Sequence, residues 1–64
     1  MKRYKVREII KMLKEDGWYL DRQRGSHRQF KHPTKPRTVT VPGDLDDIPP
    51  QGTQISIEKQ AGWK

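Results

Sequence analysis

WYLDRQRGSHRQFKHP, residues 18–33, is the stretch whose reading decides the fold. Trp18 to Arg24 opens on two aromatics and then roughly alternates, as a half-buried strand does. Gly25-Ser26 is a turn signal, and His27 to His32 forms a second short run. Pro33 ends that run because it has no N–H to donate to a ladder. Two such runs joined by a two-residue step containing glycine predict a β-hairpin, with Arg24, Gly25, Ser26 and His27 at its corner.

Working outward, Val6, Ile9, Ile10 and Leu13 fall at i, i+3, i+4 and i+7, the stripe of an amphipathic helix. That spacing predicts a helix from Val6 to Asp16, with Gly17 as terminator. Beyond the hairpin, Thr34-Lys35-Pro36 reads as a loop. Arg37 to Val41 is a β-branched third strand stopped by Pro42, and Gly43 to Gly52 is an acidic loop rich in Pro and Gly. The last segment, Thr53 to Gly62, alternates briefly at Ile55-Ser56-Ile57. Its cap residues, Thr53 and Gly62, and the run Glu58-Lys59-Gln60-Ala61 favour a helix instead. The order is α-β-β-β-α. This is an α+β domain, a three-stranded antiparallel sheet with two helices on one face, filling residues 1–64 as one unit.

A chain of 64 residues has room for one small core, and 30% apolar against 34% charged residues keeps that core modest. There is no cysteine, which excludes disulfides, thiolate metal sites and a thiol nucleophile. The opening MKRYKVREII has no apolar run long enough for a signal peptide or membrane span, so a soluble cytoplasmic protein is expected.

The net charge of +6 is unevenly placed. Arg22, Arg24, Arg28, Lys31, Lys35 and Arg37 lie in a segment without Asp or Glu. Lys2, Arg3, Lys5, Arg7 and Lys11 crowd the N-terminus, and the acids gather at Asp44, Asp46 and Asp47. Sustained local positive charge suits a phosphate-backbone partner, although a basic surface also simply keeps a small protein soluble. Strict alternation sorts Trp18, Leu20, Phe30, Val39 and Val41 inward. It leaves Tyr19, Asp21, Gln23, His27, Gln29, Lys31, Thr38 and Thr40 on an open face, provided that no bulge swaps the faces. Such polar groups can contact the phosphates and 2′-hydroxyls of RNA without reading sequence.

Free imidazole, with a pKa of about 6.5, can take or give a proton near neutral pH. RNA carries its own nucleophile, the 2′-hydroxyl. Its cleavage needs a base, an acid for the leaving oxygen, and cations to stabilise the phosphorane. His27 is the candidate proton-transfer group, with Arg24, Arg28 and Lys31 close by in sequence to bind phosphate. Gly25 permits close backbone approach, and Ser26 can donate a hydrogen bond to phosphate. No metal or cofactor enters this scheme. The ordinary alternative is that a histidine at a strand start is only a surface polar residue. His32, of inward parity, reads as a hydrogen-bonded structural group. A zinc site from the two histidines lacks further ligands. The aspartates of the acidic loop lack the glycine and terminal glutamate of an EF-hand, so the loop reads as solvated. Tyr19 can stack on a base, while Trp18 and Trp63 read as core or lid residues.

The runs Gly17-Trp18, Gln23 to Pro33, Thr38 to Pro42, Gly52-Thr53 and Lys59 to Gly62 resemble, in order and with fitting gaps, the HicA toxins of HicA–HicB toxin–antitoxin modules. The resemblance implies a fold like the double-stranded-RNA-binding domain and a ribonuclease that cleaves mRNA without needing the ribosome. It also implies inhibition by a HicB-like antitoxin and a catalytic role for the histidine of Gly-Ser-His, here His27. The chain departs from the family pattern at Gly43-Asp44, where many members carry a further histidine. Gln54 and Glu58 also stand where hydrophobic residues are usual, which predicts a weak stripe on the last helix. Two other functions compete with a nuclease: a non-catalytic RNA-binding module of the same fold, and a protein-interaction domain that docks an acidic partner.

Overall fold

The computed structural model describes residues 1–64, arranged as α1 (Val6–Glu15), β1 (Tyr19–Arg24), β2 (His27–Lys31), β3 (Val39–Val41) and α2 (Gln51–Gln60). The expected α-β-β-β-α order is present. The strands form one antiparallel sheet in the order β1-β2-β3, and both helices bury their apolar residues in the same core. Val6, Ile9 and Leu13 of α1 meet Trp18, Phe30, Val39 and Val41 of the sheet side and Ile57 and Ala61 of the C-terminal helix region.

α1 follows its sequence stripe, and its start is held from two directions. The Glu8 carboxylate accepts the Lys5 N–H at 2.8 Å, satisfying one amide at the helix entrance. The amides of Val6 and Arg7 donate to the carbonyls of Asp47 (2.9 Å) and Leu45 (3.0 Å). Arg7 also pairs with Asp46 at 2.6 Å. The acidic loop is therefore tied down at the N-terminus of α1, where the partial positive charge of the helix favours anions. The loop's aspartates stay exposed, as expected of a solvated loop, and its backbone carbonyls also cap the helix.

At the other end of α1, Gly17 turns the chain with φ +98°, and a Cβ there would lie 2.8 Å from Nε2 of His32. Trp18 follows, buried, with its ring edge-on to His32 at 5.1 Å.

Several boundaries move. α1 ends at Glu15, Trp18 precedes β1, His32 follows β2, and β3 is only Val39–Val41. The last helix begins at Gln51, so Gln51 and Gly52 are helical rather than loop. Pro50 takes the N-cap position and Thr53 lies inside the first turn without capping. A proline fits there because its absent N–H costs a helix entrance nothing.

The polar interruption in the α2 stripe has a partner. Gln54 is buried, its Nε2 donating to the Lys2 carbonyl at 2.7 Å and its Oε1 accepting the Tyr4 N–H at 3.1 Å. It lashes the N-terminal extension to α2. Farther along α2, Gln60 accepts the Thr40 N–H at 3.0 Å, which covers part of the free edge of β3.

Candidate nucleic-acid interface

The hairpin corner follows from its two-residue turn. Arg24 and His27 are directly paired, Gly25 has φ +56°, and no other residue of the turn has positive φ. That is the pattern of a type II′ turn, which matches the strand twist and wants glycine first. Gln23 Nε2 braces the turn by donating to the Gly25 carbonyl at 3.0 Å. His27 is exposed, the placement a proton-transfer group needs.

One irregularity rearranges the open face. The β1–β2 register runs Tyr19 to Lys31 and Leu20 to Phe30, then jumps to Arg22 with Gln29, leaving Asp21 unpaired as a β-bulge. Beyond the bulge the parity of β1 is reversed. Arg22 and Arg24 join His27, Gln29 and Thr40 around one shallow open depression. Gln23, expected on this face, pairs with Arg28 on the other. Leu20, expected to be inward and buried, stays 46% exposed because it sits on the outer strand beside the bulge. Alternation failed here because nothing in the composition of β1 announces an extra residue.

The cations named from the sequence separate accordingly. Arg24 stands across from His27. Lys31 shares its face two pleats away, with Tyr19 opposite and Asp21 at 3.8 Å. Arg28 does not join them. It pairs with Val41, a core residue, and its guanidinium donates to the carbonyls of Gly43 (3.0 Å) and Ser26 (3.4 Å). Side chains of successive strand residues point to opposite faces, so His27 and Arg28 cannot share one. Arg22 takes the place in the depression that sequence proximity suggested for Arg28. Gly25 and Ser26 form the turn itself, with Ser26 half-buried.

His32 is occupied elsewhere. Its Nδ1 accepts the amides of Thr34 (3.1 Å) and Lys35 (3.2 Å), which leaves the proton on Nε2 to donate to the Asp16 carbonyl at 2.8 Å. Beside it, Oδ2 of Asp16 accepts from Lys35 Nζ (2.7 Å), Trp18 Nε1 (3.0 Å) and Trp63 Nε1 (3.1 Å). Lys35 foremost, then Trp63 and Trp18, hold the Asp16 carboxyl down from 3.8 to about 2. Lys35 Nζ also donates to the Ala61 carbonyl at the end of α2. The second histidine and both tryptophans thus belong to a structural knot behind the sheet.

No three His, Cys, Asp or Glu side chains converge as a metal site would require, and no helix is long and apolar enough to cross a membrane. These features define a small α+β domain with a basic, polar sheet face and an exposed imidazole at its corner. The family model for the HicA toxin of bacterial toxin-antitoxin matches residues 6–63, and the chain belongs to that family. Membership gives it a toxin role and implies an antitoxin partner. No curated protein matches the chain significantly.

Proposed function

We propose that the protein is an endoribonuclease toxin that cleaves mRNA without a metal ion and is neutralised by a HicB-like antitoxin. The observation that carries the reading is the exposed His27 facing Arg24, with Arg22, Gln29 and Thr40 around the same depression. An RNA strand laid on this face presents a 2′-hydroxyl to the imidazole and its phosphate to the two guanidiniums. His27 accepts the 2′-hydroxyl proton as the oxygen attacks phosphorus. The 5′-oxygen of the next nucleotide leaves with a proton from water or from the imidazolium. Arg24 and Arg22 stabilise the negative charge that gathers on the phosphorane oxygens. Lys31 holds phosphate farther along the strand, and the Gly25-Ser26 turn admits the backbone closely. A single acid/base group predicts modest turnover, which suffices to arrest growth. Occlusion of the His27 face is the expected means of inhibition by the antitoxin.

The test is cleavage of an RNA oligonucleotide in EDTA, beside the same sequence with 2′-deoxyribose throughout. Cleavage of the RNA alone is expected. Cutting of the deoxy strand contradicts the mechanism, and RNA binding without cleavage points to a non-catalytic RNA-binding module.

A further inference from the structure

A second groove lies at the far end of the face that bears His27. Its lining includes Tyr19, Lys31, Arg37 and Thr38, together with His32 and Lys35, which the Asp16 knot already engages, and Tyr19 is half exposed. His27, Gln29 and Lys31 connect the two ends along β2, a distance of about 13 Å at about 3.3 Å per residue. A tetranucleotide covers that span. The charges along the way are Arg24, Arg22, Lys31 and Arg37 against the lone carboxylate of Asp21. That carboxylate touches Lys31 only loosely, at 3.8 Å with both side chains partly exposed. A surface pair of this kind is worth little, and a phosphate can replace the carboxylate.

Resting on the ribonuclease reading, we infer that the substrate is an unpaired RNA strand running along β2, with a base stacked on Tyr19 and a phosphate held by Lys31 and Arg37. The groove is a binding subsite separate from the His27 depression. An exposed phenol ring beside two cations suits a base that is free of its own stack, because a duplex keeps its base faces covered. Thr38 adds a hydroxyl for the ribose and phosphate oxygens, while the Thr34 hydroxyl is held by Nδ1 of His32 at 3.3 Å. An acidic polypeptide would use the cations but has no planar base for Tyr19.

The experiment measures binding of a labelled unpaired hexanucleotide to His27→Ala protein, with RNA cleavage by the unaltered protein followed in parallel. The unpaired strand is expected to bind at least tenfold tighter than the same strand annealed to its complement. Tyr19→Ala should weaken it by about fivefold to 150-fold, while Tyr19→Phe keeps the affinity. Arg37→Gln should weaken binding and flatten the dependence of log affinity on log salt by about 0.7. If Tyr19→Ala binds like its parent while the unaltered protein cleaves RNA, the subsite is wrong and the ribonuclease reading stands. Equal or tighter binding of the duplex also overturns the subsite, as does a Tyr19 effect seen only with an acidic polypeptide. Protein that neither binds nor cleaves RNA overturns both.

Discussion

Gly17 carries two constraints that no other residue satisfies. Its φ of +98° is strained for any side chain, and a Cβ would press on a His32 ring already fixed by bonds to Thr34, Lys35 and Asp16. Gly17→Ala is therefore expected to lower the thermal midpoint, whereas Gly25→Ala meets only the cost of positive φ, since nothing lies within 4 Å of a Cβ there. Asp16 beside it makes stability depend on acid. A carboxyl held at about 2 in the folded chain and near 3.8 when free favours folding most above the higher value. That contribution fades as pH falls from about 3.8 and is gone below about 2. Denaturation melts in that window should show the loss, and Asp16→Asn should be less stable at neutral pH with a flatter acid limb. A hydrogen-bonded structural role for His32 was legible from its inward parity, although its partner Asp16 was not. Nor was the three-donor grip on Asp16, because Trp63 and Lys35 reach it from distant parts of the chain.

At the scale of elements, α1 was legible because its apolar stripe, Val6 to Leu13, runs about two turns with nothing to interrupt it. The hairpin was legible because Gly25-Ser26 suits its turn. The bulge at Asp21 was not, since a register slip depends on which cross-strand pairs form rather than on local propensity. Its consequence is functional: it turns Arg22 and Arg24 onto the face of His27, whereas Arg28 lies on the other face by the ordinary alternation of β2. Arg22→Gln should reduce RNA affinity, with a shallower salt dependence, and Arg28→Gln should chiefly reduce stability by releasing the Gly43 carbonyl. Titration with RNA at several salt concentrations, beside thermal melts, separates the two effects. α2 makes a similar point. A hydrophobic replacement at position 54 looks like a repair of its stripe, yet Gln54→Leu strands the Lys2 carbonyl and the Tyr4 amide. A loss of about 1–3 kcal/mol is expected, with faster hydrogen exchange at Tyr4.

For the whole molecule, nine apolar residues make the core, and a domain of this size has little stability to spare. Leu13→Ala, at a fully buried position, should cost about 2–5 kcal/mol, enough to leave much of the chain unfolded in a denaturant titration. The division of labour across the sheet is plain at this scale. One side holds the apolar core, the Asp16 knot and Arg28, while the other stays open and bears His27, Arg22, Arg24, Lys31 and Tyr19. The central claim is that the imidazole on the open side moves the proton. Its most direct test is RNA cleavage by His27→Ala protein that retains the parent's melting temperature and RNA affinity. The account predicts binding without cleavage. Cleavage at the parent's rate would contradict it.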